Sequence, residues 1–187
     1  MYNFLSDQSV FIKKSFNLIK NNFKIFKGVK IKLNIQDSLR IQEFAYLDTR
    51  NNGPTFKLSI CNDLSVFNES TNYELLLHFN KDYLESLGIE INEQSLLLSL
   101  LLHEFGHLIN NINLINQTSF ENFIHINQIN KNLFHIMYKT DDERFLYDSP
   151  SRAIAYQHFI PSELNAEIFK FRYFPFIWNL IILSNIL

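Results

Sequence analysis

His103-Glu104-Phe105-Gly106-His107 sets two histidines four residues apart, with a glutamate directly after the first. Residues at that spacing share one face of an α-helix, so both imidazoles can address one ion. They supply two of the three protein ligands that a catalytic zinc takes, which leaves a coordination position for water. Glu104 stands one step round the helix, where its carboxylate can reach that water rather than the metal. The chemistry implied is metal-assisted hydrolysis. The flanking residues strengthen the reading. Leu96, Leu97, Leu98, Leu100, Leu101 and Leu102 make the helix apolar nearly all round, as core helices are. Two histidines and a glutamate in such a helix are costly to desolvate unless paired or metal-bound.

The third ligand decides the class. Asn110 and Asn113 stand where Gly and His would continue a metzincin pattern, so that ligand set is excluded. His125, His135 and His158 have no matching spacing and read as ordinary surface or core histidines. The better candidate is Glu163 on a following helix. Its segment, Pro161-Ser162-Glu163-Leu164-Asn165-Ala166-Glu167-Ile168-Phe169, opens with proline in the first turn, a helix-entry signal. Ala166, three residues on, would let this helix pack closely on the one carrying the histidines.

Residues 163–169 resemble the ExxAExF signature that follows HEFGH in the lethal-factor-type and Pro-Pro endopeptidase metalloproteases, which are gluzincins. The resemblance implies that Glu163 is the third zinc ligand. It also implies that Tyr156, seven residues earlier, stabilises the oxyanion. A second, looser similarity is to the ImmA/IrrE-type regulatory metallopeptidases, which share HExxH and an ExxANxFA segment. From those the chain departs at Glu167, at Lys170 and in lacking their Leu-Leu-Met-Pro ending. The similarity spans roughly residues 73 to 172 and says little about residues 1–72.

Motif and resemblance together imply a one-zinc endopeptidase with narrow protein specificity. His103, His107 and Glu163 would hold Zn²⁺, and Glu104 would act as general base. Tyr156 would be the oxyanion donor, and Glu167 the acceptor behind a ligand imidazole. The alternatives are an ImmA/IrrE-like intracellular regulator acting on a repressor, and a zinc-binding zincin fold without turnover. Zincins of this kind hold the peptide as an added strand along a sheet edge. Tyr73 to Phe79 is the expected edge, and the loop Tyr147 to Arg152 would flank the cleft.

The elements that must position these groups divide the chain into strands early and helices late. Asp7 to Phe26 reads as an amphipathic helix ended near Gly28. Val29 to Ile35 alternates as a half-buried strand, with Arg40 to Leu47 and Phe56 to Cys61 as further strands around the turn Asn51-Asn52-Gly53-Pro54. Tyr73 to Phe79 is a fourth strand, and Lys81 to Leu87 a short helix ending at Gly88. The zinc helix runs from its cap Asn92 to about Asn113. From about Ser119 the chain reads as helical, broken at Asp141-Asp142, Pro150 and Pro161. The expected fold is α+β: a zincin-like single domain over 1–187, with a small N-terminal mixed or antiparallel sheet, the active-site helix and a helical C-terminal half.

Length and composition agree with that plan. The 187 residues are 47% hydrophobic and include 19 Phe, enough for a core without a metal or disulfide staple, since chains of this size bury about 70% of their unfolded surface. One cysteine excludes an intramolecular disulfide framework. A net charge of −2 argues against nucleic acid as a partner. The N-terminus lacks the pattern of a Sec signal peptide, so the default expectation is cytoplasmic, with a specialised export route left open. Residues 173–183 are apolar but too short to span a bilayer, and are expected to pack as a C-terminal helix.

Overall fold

The lysine-rich N-terminal stretch folds as its periodicity requires. The computed structural model describes residues 8–36, 45–48, 55–62, 64, 71–117, 122, 125, 126, 129 and 161–186. Within it α1 spans Gln8–Asn22, with Phe11, Ile12, Ser15, Phe16 and Ile19 buried and Lys13 and Lys14 exposed. A 3-10 turn, Lys24–Phe26, follows. Gly28, at φ 83°, then turns the chain into the sheet.

Three strands make a mixed sheet: β1 (Lys30–Gln36), β2 (Ala45–Asp48) and β3 (Thr55–Cys61), in the order β1-β3-β2. The central β3 pairs parallel with β1, Ile31 opposite Phe56 and Leu33 opposite Leu58. It pairs antiparallel with β2, Leu47 opposite Leu58 and Ala45 opposite Ile60. Phe56, Leu58 and Ile60 alternate into the core. Ser59, on the other face, is also buried, and its hydroxyl accepts from Asn34 Nδ2 at 3.2 Å.

Residues 73–79 are not a strand. They belong to α2, Thr71–Ser86, which absorbs the short helix expected after them. A run such as Leu75-Leu76-Leu77 suits a buried strand or a helix equally. Burial decides: it recurs at Leu76, Asn80 and Leu84, four residues apart, which is helical. The helix closes at Gly88 (φ 66°), where the Ile89 N–H donates to Leu84 O and the Gly88 N–H to Glu85 O, both at 3.0 Å.

Next comes α3, Glu93–Gln117, which extends past the expected end at Asn113. Its start is fixed by a reciprocal cap: the Ser95 N–H donates to Asn92 Oδ1 and the Asn92 N–H to Ser95 Oγ, each at 3.0 Å. Glu93 ties that first turn to the rest, accepting from the Leu64 N–H at 3.0 Å and from Gln8 Nε2 at 2.9 Å.

The last helix, α4, spans Pro161–Leu183 and passes through Pro175 without ending. Pro175 has no N–H to offer the Phe171 carbonyl four residues back. The hydroxyl of Tyr83 on α2 donates to that carbonyl instead, at 2.5 Å. The segment that opens at Pro161 and the stretch 173–183, read separately from the sequence, are therefore one element.

At the centre α3 contacts α1, β2, β3, α2 and α4, and Leu97, Leu98, Leu101, Leu102, Phe105 and Leu108 have no exposed surface. The arrangement is α+β, with one α-helix before the strands and the other described α-helices after them. Among the described residues no helix is long and apolar enough to cross a membrane. Asp7, the turn at 51–54, the breaks at 141–142 and 150 and the loop at 147–152 lie outside the described residues.

Candidate metal centre

The HEFGH segment supplies both packing and polar contacts. Phe105 anchors α3, its ring centroid 5.4 Å from that of Phe16 and 5.0 Å from that of Phe26. Gly106 lies where α3 crosses α4. A Cβ there would stand 2.6 Å from Ala166 Cα and 2.9 Å from the Ala166 carbonyl oxygen. The pair Gly106–Ala166 therefore lets the two backbones touch. Three residues before that contact and one residue after it in each helix, the polar side chains meet.

His103 and His107 project from one face of α3, as their spacing requires. Glu163 comes from the first turn of α4, where the helix dipole favours a carboxylate. The Nε2 atoms of the two histidines are 3.0 Å apart, and each is 3.3 Å from Glu163 Oε2. These three atoms are the ones that could hold a metal ion. Two ligands about 2.1 Å from a tetrahedral ion are about 3.4 Å apart, so the triangle is close to the size such an ion needs. Each of the three side chains keeps 15–16% of its surface exposed, so water and small ions can enter.

Behind His103 the polar contacts continue. Glu167, one turn after Glu163, holds His103 Nδ1 at 2.7 Å from its Oε1. The carboxylate thus accepts a hydrogen bond from the Nδ1–H and leaves Nε2 as the atom that can face a metal, the usual second contact of a ligating histidine. Glu167 Oε2 is in turn 2.6 Å from Lys170 Nζ. Lys170 is buried, and its ammonium also donates to Asn80 Oδ1 at 3.1 Å.

The electrostatics follow from this crowding. Burial would push His103 down, but hydrogen bonds to Glu163 and Glu167 and the nearby charges of Glu163 and Glu104 outweigh it. The imidazole is raised to about 10. Burial likewise opposes ionisation of Glu163, yet the His107 charge and hydrogen bonds to both histidines hold its carboxyl far below the usual range. Glu167 is also held low against burial, by its hydrogen bond to His103 and the Lys170 charge. Burial pushes Lys170 down, and Glu167 opposes it. Without a metal, the His103 imidazolium is clasped by the Glu163 and Glu167 carboxylates.

Glu104 is buried at 6% exposure, and its charge acts on His103. No protein-family model, curated protein or solved structure matches this chain. The chemistry of the site accordingly rests on its own geometry. That geometry joins His103, His107, Glu163 and Glu167, with Glu104 beside them. Tyr156 lies outside the described residues, as do His135 and His158, and His125 is exposed. Sequence reasoning missed Asn80 and treated Lys170 only as a departure from a pattern. The Glu167-to-Lys170 spacing of three, which pairs opposite charges on a helix, was the available signal for the latter.

Proposed function

We propose that the chain is a zinc-dependent endopeptidase with a zincin-like fold. The observation that carries this reading is the 3.0–3.3 Å triangle of His103 Nε2, His107 Nε2 and Glu163 Oε2, set in a helix where Glu104 follows the first ligand. Two imidazoles and one carboxylate are the donor set of catalytic rather than structural zinc, which is normally closed by four protein ligands. When bound, Zn²⁺ would lower the pKa of a water toward about 7 and polarise a substrate carbonyl.

The chain's own groups do the rest. Glu104 takes the proton from the attacking water and returns it to the leaving amine, so the carboxylate is regenerated each cycle. Glu167 holds His103 in the tautomer that presents Nε2. Tyr156 is the proposed hydrogen-bond donor to the oxyanion, worth about 3 kcal/mol by comparison with measured oxyanion donors. The peptide is held by strand addition. With residues 73–79 helical, β2 takes over as the proposed edge, since it ends the strand order and packs against α3.

The test is metal analysis of purified protein together with cleavage of a peptide library by wild type and Glu104→Gln. Stoichiometric zinc, with cleavage by wild type alone, is expected. A protein that binds no zinc, or two versions that cleave equally, would overturn the reading.

A further inference from the structure

We propose that Lys170 is a positioning residue for the metal centre, fixing Glu167 and through it the His103 ring, with Asn80 of α2 as its outer support. This rests on the reading that His103, His107 and Glu163 hold zinc.

A buried lysine between two helices calls for a reason, because an aliphatic side chain of similar volume fills such a space without desolvating a charge. Lys170 is 2% exposed. Its ammonium has three contacts, each accounted for: Glu167 Oε2 at 2.6 Å, Asn80 Oδ1 at 3.1 Å and the Phe171 ring, 4.4 Å to the centroid. Asn80 is itself pinned, since its Nδ2 donates to the Leu76 carbonyl at 2.7 Å. That leaves Oδ1 as the atom turned to the lysine.

The result is a chain of contacts running from the backbone of α2 to the ligand triangle. Leu76 O orients Asn80, Asn80 orients Lys170, and Lys170 takes one oxygen of Glu167. The other oxygen, at 2.7 Å from Nδ1, is then left facing His103. With both oxygens engaged, the carboxylate cannot rotate, and the imidazole it holds cannot turn Nε2 away from His107 and Glu163. Charge points the same way. Glu104, Glu163 and Glu167 put three carboxylates around two imidazoles, and Lys170 sets a cation against one of them. Such outer contacts are worth about 10–100-fold in metal affinity.

The experiment is zinc titration of the full-length chain against a competing chelator, with Co²⁺ absorption spectra as a readout of ligand geometry. Lys170→Met is expected to weaken zinc by about 10–100-fold and to change the Co²⁺ spectrum, and Lys170→Arg to restore most of both. In a Glu167→Gln background Lys170→Met should add nothing further, because the lysine acts through that carboxylate. A lysine that only stabilises the fold would lower the melting temperature and leave zinc affinity and the Co²⁺ spectrum unchanged. That result overturns the proposal, as does an equal loss in both backgrounds. If Lys170→Met does not fold, Asn80→Leu carries the test: several-fold weaker zinc supports the relay, and unchanged affinity overturns it. Wild type that binds no zinc removes the metal reading and this one together. Wild type that binds zinc alongside an unaffected Lys170→Met removes only this one.

Discussion

On one side of α3, Leu97, Leu101, Phe105, Leu108 and Ile112 sink into the apolar cluster shared with α1 and the sheet. On the other, His103 and His107 meet Glu163 and Glu167 of α4 at distances between 2.7 and 3.3 Å. The apolar side is held by area and volume, which many residue combinations can satisfy. The polar side is held by direction, because its contacts are between particular atoms and a shift of an ångström leaves a buried charge unpaired. One helix therefore carries a tolerant half that keeps it in place and an intolerant half that does chemistry. The two halves should fail in different ways.

The largest effect expected is on the polar side. Glu104→Gln should lower turnover by about 10²–10⁴-fold, the usual contribution of a general base, while zinc binding stays stoichiometric. Peptide hydrolysis alongside metal analysis checks both. On the apolar side Leu101→Ala should cost about 3 kcal/mol of stability, as large-to-small core changes do, with zinc affinity of the folded fraction unchanged. Denaturant midpoints measure the first, and chelator competition below the transition measures the second. If Leu101→Ala weakened zinc as much as it weakened the fold, the two sides would not be separable.

Gly106→Ala tests the seam between them. In an isolated helix the change would stabilise by about 1 kcal/mol. Here the new methyl would meet Ala166 Cα at 2.6 Å, so the helices must separate. A net loss of about 2 kcal/mol is expected, as for overpacked cores, with weaker zinc because Glu163 moves away with α4. A more stable variant would show that the close crossing is wrong.

What was legible in the sequence follows the same division. Local rules sufficed for the Asn92 cap, the alternation of β1 and the shared face of His103 and His107. Glu163 was found because a helix start and a small residue mark a close crossing. Residues 73–79 were misread because three leucines in a row carry no period of their own; Asn80, a polar residue on the buried stripe, hid the four-residue repeat. The continuity of α4 through Pro175 was not legible, since nothing nearby in sequence reveals that Tyr83 would satisfy the carbonyl it leaves open. Lys170 read as a mismatch because its partner Asn80 lies 90 positions away.

The pH dependence of stability should separate metal-free from metal-bound protein by a few degrees in melting temperature, as about 1 kcal/mol does at this size. In the metal-free protein His103 is raised from 6.5 to about 10. The stability it contributes is fully present below 6.5 and is lost as pH rises toward 10. Glu163 and Glu167 lie below their ordinary value of 4.5, so their contribution is present above 4.5 and lost as pH falls through the acid range. Metal-free protein should thus be most stable between about pH 4.5 and 6.5. Zinc must displace the His103 proton, so its stabilisation should grow as pH rises. Melting curves from pH 5 to 9 with chelator and with zinc should therefore diverge upward, and parallel curves would contradict the His103 assignment.

The smallest effect concerns the contact that α2 makes with α4 where Pro175 interrupts its hydrogen bonding. The Tyr83 hydroxyl is the donor to the carbonyl that Pro175 strands on Phe171. Tyr83→Phe keeps the ring, whose centroid lies 4.6 Å from that of Phe171, and removes only the donor. A buried carbonyl left unpaired costs about 1–3 kcal/mol, and half-exposure at this position places the expected loss near 1 kcal/mol. The donor bonds the Phe171 carbonyl, directly after Lys170, rather than the Glu167 carboxylate, so zinc affinity should fall little, well under the change from Lys170→Met. Thermal melts and zinc titration of Tyr83→Phe measure the two quantities together. Should zinc affinity fall as far as in Lys170→Met, α2 would act on the site by holding the whole of α4, and the Asn80–Lys170 contact would lose its separate role.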